Sequence, residues 1–327
     1  MTIFSPDGQP SGYLQSALKA FFFLAVLCTI SCKNDSRTVA VIPRTTGLSL
    51  WEPEHAGAEA AADEHGMKIY WNAPTREDDV QGQLALIQKV IDKQYAGLVL
   101  APDQTLALMT LVRRAVSRGI PTVIVGSGLP LEPGGKLSYI LSDDAEAGRM
   151  AATRIGAILH GRGTVAILGI DPDIAGVLNR VRSFEAVLAA EYPEIRIREK
   201  RIGSFNVPYE QQITEEVLTN NPDLNAILAV TTDATRGAYS ALSELHKTGT
   251  VKLVACDQDL LLPLTTGEID SVIAEDTYQM GYRAIELLAL QRQGKTVPAL
   301  IEVKPVLVTK ENLNSPDIRR LLGLVGR

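Results

Sequence analysis

Cysteine is scarce and placed where it cannot make a covalent framework. Three occur in 327 residues, and Cys28 and Cys32 lie near the amino terminus, leaving Cys256 alone in the rest. An internal disulfide in that remainder is excluded. A lone thiol closing the apolar run VKLVAC (251–256) reads as core filler, not as a nucleophile. Histidine is equally sparse. The four, at 55, 65, 160 and 246, show neither HExxH nor Cys/His metal spacing, so no metal site is expected. There is no GxSxG elbow and no glycine-rich phosphate loop, because GSGLP (126–130) lacks both the GxGxxG spacing and a following helix. The carboxylate run Glu77-Asp78-Asp79 sits at a helix start, where it satisfies the N-terminal dipole. These absences argue against an enzyme and against any cofactor.

Charge of one sign is also missing. Lys and Arg number 32 against 38 Asp and Glu, interspersed to a net −6, with no basic stripe and no helix-turn-helix. Nucleic acid is therefore not an expected partner. Aromatics make up only 5% and hydrophobic residues 46%, an ordinary soluble composition.

The amino-terminal apolar run is short. Ala20–Ile30 (AFFFLAVLCTI) counts eleven residues, followed by Ser31-Cys32-Lys33-Asn34-Asp35-Ser36. As a helix it spans about 16 Å, against roughly 30 Å of bilayer hydrocarbon. That length suits a signal-peptide core. A small residue before a cysteine, then a polar tether, resembles a bacterial lipobox with Cys32 as the lipidated residue. Thr29 departs from that motif, Lys19 is the only base of a weak n-region, and simple cleavage of the leader remains open. Residues 1–36 are thus expected to be a lipoprotein signal peptide and tether, which places the protein in the periplasm or cell envelope, anchored through lipid on Cys32.

From Thr38 onward one unit repeats: a short β-branched run, a turn, an amphipathic helix. Eleven strand candidates follow one another: 38–43, 67–72, 97–102, 121–126, 138–141, 163–169, 194–202, 225–230, 251–256, 271–275 and 300–309. Near-continuous Val/Ile/Leu strands alternating with helices predict an α/β fold with parallel sheets covered on both faces. Eleven are too many for one compact sheet, so two doubly wound lobes are expected, divided at Leu141-Ser142-Asp143-Asp144. Ligands of such sheets gather beyond the carboxyl ends of the strands. The loops to search include 44–51, 72–78, 126–129, 142–144, 170–180, 203–206, 231–235, 257–259 and 275–277.

Several segments, in order, resemble the sugar-binding proteins of ABC transporters in the ribose/galactose class, whose ligand domain is shared with the lactose-repressor family. They include LWEPEHAGAEAAADEHG (50–66), GLVLAPDQTLALMTLVRRAVSRGIPTVIVGSGL (97–129), LSDDAEAGRMAA (141–152), NRVRSFEAVLAAEYPEI (179–195) and LVACDQDLLLPLTTGEIDSVIAEDTYQMGYRAIELL (253–288). The resemblance covers essentially residues 38–312. It implies the periplasmic binding protein type I fold, with a three-strand hinge near 142–144, 274–276 and 303–306. One lobe would comprise 38–141 plus 276–303, the other 144–273 plus 306–327. It implies capture of a small polyhydroxylated ligand by lobe closure, by a monomer that serves an ABC permease or, alternatively, a chemoreceptor or histidine kinase.

The resemblance also implies site residues. Trp51 matches an aromatic that covers a sugar face, though it would equally staple the helix near Pro53. Arg180 matches the ligand arginine, with Arg182 a solvated neighbour. Asp257 matches an aspartate that accepts from two hydroxyls, or else caps the helix at 259–266. Glu275 stands at a hinge position usually held by Gln, with Asp276 beside it. Ser142 and Asp143 match the first hinge, where Asp143 is also a natural helix cap. Departures are equally clear. Gly126-Ser127 replaces Asp-Arg or Asp-Ser, Thr232 replaces an Asn before the retained Asp233, and Leu48 replaces a polar residue. Arg44, Trp71, Asn72 and Arg76 are candidates for replacement contacts.

Overall fold

The computed structural model describes residues 37–256, 258, 260–322 and 324; Cys32 and Asp257 lie outside the described residues. The chain starts as β1 (Thr38–Ile42), α1 (Glu52–His65), β2 (Lys68–Trp71), α2 (Val80–Lys93), β3 (Gly97–Leu100), α3 (Met109–Ser117), β4 (Thr122–Gly126) and β5 (Leu137–Ser142). It continues as α4 (Asp144–Ile158), β6 (Arg162–Ile170), α5 (Ala175–Glu191), β7 (Glu194–Ile202), α6 (Val207–Asn220), β8 (Ala226–Ala229), α7 (Thr232–Glu244), β9 (Lys252–Ala255) and α8 (Leu261–Thr266). It ends with β10 (Ser271–Ala274), α9 (Thr277–Arg292), β11 (Leu300–Val303), β12 (Val306–Thr309) and α10 (Pro316–Leu321).

The strands form two sheets of six, ordered β11-β5-β4-β3-β1-β2 and β12-β10-β9-β8-β6-β7. Their composition explains the layering. Strands β3, β4, β8 and β10 are buried along their whole length, as parallel strands covered on both faces must be. β7 is an edge strand and alternates instead, with exposed Arg196, Arg198 and Lys200 flanking half-buried positions. Each sheet separates two apolar clusters. In the first lobe one cluster joins Val39, Val99 and Val123 to α1 and α9, while the other joins Ile42, Leu98 and Ile124 to α2 and α3. In the second lobe Phe184 and Ile155 cover one face, and Val217, Leu242 and Ile318 the other.

The run 300–309, expected as one strand, is two. Lys304-Pro305 breaks it, since proline lacks the N–H a ladder needs. β11 joins the first sheet beside β5, whereas β12 pairs antiparallel with β10 in the second. The second sheet is therefore not wholly parallel: its last strand enters from β11 of the other sheet and runs back along β10. The chain passes between the sheets three times, from β5 into α4, from β10 into α9, and from β11 into β12.

Candidate functional site

The carboxyl ends of both sets of strands converge on one cleft of about 620 Å³, open space at its mouth included. From the first lobe it receives Arg44, Leu50, Trp51, Glu77, Gly126 and Ser127; from the second, Ile174, Val177, Arg180, Phe205, Thr232 and Cys256. Ser142, Asp144 and Glu275 complete the wall where the chain crosses between sheets. Local sequence explains the placement. Gly126, at φ +73°, turns the chain sharply as β4 ends, a conformation that any side chain would strain. Trp51 ends a 3-10 turn, Ser49–Trp51, that feeds directly into α1 and is 4% exposed.

Arg180 organises the floor. Its Nη2 donates to Asp144 Oδ1 at 2.6 Å and to Glu275 Oε1 at 2.8 Å, and Nη1 donates to the Val230 carbonyl at 2.9 Å. Glu275 also accepts from Ser142 Oγ at 2.9 Å, and its backbone N–H donates to Gln258 Oε1 at 2.7 Å. One guanidinium thus ties together the first two interlobe crossings. Burial works against the Arg180 charge, yet its neighbours Cys256, Asp144 and Glu275 hold the pKa above its ordinary value. Burial pushes Asp144 up, opposed by Arg180. On the facing wall Arg44 Nη2 donates to Ser127 Oγ at 3.1 Å, and its guanidinium carbon lies 5.7 Å from the centre of the Trp51 ring. Among the described residues three buried donors, Trp51 Nε1, Arg44 Nε and Arg180 Nε, make no well-aligned hydrogen bond, although Trp51 stands against Glu77 and Arg180 against Cys256.

The lobes meet closely at the rim. Thr105 Oγ1, in the loop after β3, donates to the Asp173 carbonyl of the loop after β6 at 2.8 Å. Gly176, at the start of α5, approaches so near that an added Cβ would stand 2.2 Å from Asp144 Oδ2 and 3.0 Å from Ser127 Oγ.

The residues singled out in the sequence fall as follows. Trp51, Arg44, Ser127, Ser142, Arg180, Thr232 and Glu275 all line the cleft. Asp143 does not: its carboxylate caps α4 by accepting from the Glu146 N–H, and Asp144 faces inward instead. Asp276 likewise caps α9, leaving Glu275 as the inward carboxylate. Asp233 lines an adjoining hollow with Glu77, Phe205 and Arg76. Arg182 is exposed. Trp71 stacks on His55 at 4.4 Å, Asn72 bonds Tyr70, and Arg76 pairs with Asp78, so none of these three lines the main cleft.

Two residues belong to the cleft that the sequence placed elsewhere. Cys256 both packs on the second-lobe core and lines the cavity, with burial pushing its thiol up, which disfavours the reactive thiolate. The run Glu77-Asp78-Asp79 divides three ways: Asp79 caps α2, Asp78 pairs with Arg76, and Glu77 enters the cleft. Only the spacing of a cap two residues on gave any signal for Glu77.

Two doubly wound lobes facing each other over a polar cleft give the architecture of a two-lobed binding protein. The chain belongs to the periplasmic binding protein domain family, which matches residues 39–296. It is 24% identical over 269 residues to the D-allose-binding periplasmic protein of Escherichia coli, covering 79% of this chain and 86% of that one. It is 25% identical over 290 residues to the xylitol-binding protein of Mycolicibacterium smegmatis, covering 87% and 80%. In structure it matches an ABC transporter solute-binding protein of Agrobacterium vitis bound with α-D-tagatopyranose, with a TM-score of 0.81, 24% identity, and coverage of 87% and 98%.

Proposed function

We propose that this protein captures a small polyhydroxylated ligand, a sugar or polyol, outside the cytoplasm and delivers it to an ABC-type permease. The observation that carries the reading is the convergence of polar walls on one cleft, Arg44 and Trp51 from one lobe and Arg180 from the other, each with a buried N–H that makes no well-aligned hydrogen bond. A buried donor without an acceptor costs roughly 1–3 kcal/mol, and vicinal hydroxyls supply acceptors on both sides at once. The Trp51 ring offers a flat apolar face for a pyranose or an extended polyol. Relatives named for allose and xylitol support the same class of ligand.

Binding proceeds by closure. Neither wall alone desolvates the ligand, so the closed form binds it better, and the ligand shifts the open–closed equilibrium by that difference. The three passages near 142–144, 274–276 and 303–306 serve as the hinge. Ser142, Glu275 and Thr232 contribute polar contacts, and Asp257, outside the described residues, would accept from neighbouring hydroxyls. Export and acylation at Cys32 belong to the same reading, and the mass of the mature amino-terminal residue reports them.

Titration calorimetry against a panel of aldoses, ketoses and polyols tests the proposal. Trp51→Ala removes the aromatic wall of the cleft, worth about 0.5–1.5 kcal/mol of ring contact, so Kd for the bound panel member rises roughly two- to tenfold. Unchanged affinity in a folded Trp51→Ala protein sinks the assignment of this cleft.

A further inference from the structure

We propose that Glu210 is a positioning residue for this cleft: its buried carboxyl holds the backbone at Ser204 and so fixes where the Phe205 ring meets the ligand. This rests on the reading of the cleft as a polyol site and adds a residue that lies outside the cleft wall.

Phe205 belongs to the short loop between β7 and α6, residues 203–206. Its half-buried side chain packs on the second-lobe core and lines both the cleft and the adjoining hollow. Trp51 lines the same cleft from the facing lobe. A sugar or polyol has apolar C–H surface on more than one side, so an aromatic from each lobe can cover it. Such contact requires each ring at a fixed depth, and a short loop does not supply that by itself.

Strand β7 cannot hold the ring in place. It is an edge strand, and its last residue, Ile202, is 67% exposed. The loop is tied instead at three points. The Gly203 N–H donates to the Ile170 carbonyl at 2.9 Å. The Asn206 side chain caps α6 by accepting from the Tyr209 N–H at 2.9 Å. Between these two, the Ser204 N–H donates to Glu210 Oε1, and the Ser204 hydroxyl stands against the same carboxyl. The third tie is thus adjacent in the chain to Phe205.

Glu210 is an unusual choice for its position. A glutamate in the first turn of a helix ordinarily faces water, yet Glu210 is 0% exposed. Burying a carboxyl is unfavourable, and an apolar side chain would fill the same space with less penalty. Two glycines make the room it occupies. An added Cβ at Gly203 would stand 2.7 Å from Glu210 Oε1, and one at Gly237 of α7 would collide with the Glu210 Cβ. What the carboxyl supplies in return is a strong acceptor for one backbone N–H. Without it a part-buried donor beside Phe205 is left unpaired, and the loop relaxes to find another partner.

The test is a double-mutant cycle read by calorimetry at pH 7, with D-allose, D-ribose, D-tagatose and xylitol as probes. Phe205→Ala and Glu210→Ala should each raise Kd for the tightest-binding probe roughly two- to tenfold, and the pair together no more than Phe205→Ala alone. Glu210→Gln keeps an acceptor in the same place and should restore affinity to within about twofold of wild type. A residue that only supports the fold would lower the melting temperature and leave these ratios unmoved. Wild-type affinity in folded Glu210→Ala or Phe205→Ala overturns the inference and leaves the polyol reading standing. So does a Glu210→Ala loss that adds in full to that of Phe205→Ala, or a Gln variant as weak as the Ala variant. Should Glu210→Ala not fold, Glu210→Leu removes the acceptor while filling the space. Hydrogen exchange in the wild-type protein needs no variant: a Ser204 amide that exchanges as fast as an open loop overturns the contact. No binding of any probe by the wild-type protein overturns both readings.

Discussion

Glu54 and Asp103 hold four carboxylate oxygens inside the first lobe without a hydrogen-bond donor to any of them. Burial, only partly offset by Arg44, pushes each pKa up to about 8. Unfolded, both groups lose their protons near pH 4. Between pH 4 and 8 the folded chain therefore holds protons that the unfolded chain has released, and stability falls as pH rises through that window. The slope reaches about 1.4 kcal/mol per pH unit for each group. Denaturant melts of the ligand-free protein at pH 5, 6, 7 and 8 should show this decline, and Glu54→Gln should flatten it. A stability that is level or rising over that range contradicts the burial of ionisable carboxyls here. At this scale the sequence was only partly readable. Arg180 and Trp51 were named through the resemblance to sugar-binding proteins, with the long turn before Trp51 as a further sign; Arg180 itself lies within α5. Which of two adjacent carboxylates turns inward was not readable, as at 143–144, where the capping geometry of Asp143 leaves the inward direction to Asp144.

Helix contacts in both lobes depend on glycine. An added Cβ at Gly57 would stand 2.1 Å from the Tyr278 carbonyl, and one at Gly281 would stand 2.1 Å from the Glu54 carbonyl, so α1 and α9 touch backbone to backbone. In the second lobe α4 and α5 do the same, where a Cβ at Gly148 would stand 2.2 Å from the carbonyl of Arg180 itself. Gly148→Ala should therefore destabilise the fold by about 1–3 kcal/mol through overpacking. It should also weaken ligand binding, because the displaced turn carries Arg180. Melting and calorimetry on that one variant check both, and a destabilised protein with wild-type affinity would detach Arg180 from the ligand. Elements were the most legible level of the sequence. Uninterrupted Val/Ile/Leu runs between helices announced buried parallel strands, and ten of the eleven expected strands each gave one. The exception, 300–309, looked continuous because both halves are apolar; only Pro305 hinted that the chain leaves one sheet and enters another.

The two-lobed plan was legible because strand count alone exceeds what one sheet holds. The meeting of the lobes was not, since it depends on contacts between residues far apart in sequence. Thr105 and Asp173 illustrate this, joined at the rim at 2.8 Å. On the proposed closure, this hydrogen bond belongs to the closed state, because opening the cleft would part its two loops. Thr105→Val should therefore cost about 0.5–1.5 kcal/mol of ligand affinity, a rise in Kd of roughly two- to tenfold, with little change in unliganded stability. Small-angle scattering should show the radius of gyration falling on saturation with ligand in both proteins. A radius that does not change at saturation counts against closure.

The three passages of the chain between sheets bear on how the molecule is made. The first lobe begins at β1, yet α9, which supplies Met280, Ala284, Ile285 and Leu288 to its core, and the edge strand β11 are the product of residues 277–303. The second lobe in turn waits for β12 and α10, which bring Val308, Ile318 and Leu321. One face of each sheet therefore stays uncovered until almost the whole polypeptide has left the ribosome. A growing chain of this design completes neither core during most of its synthesis.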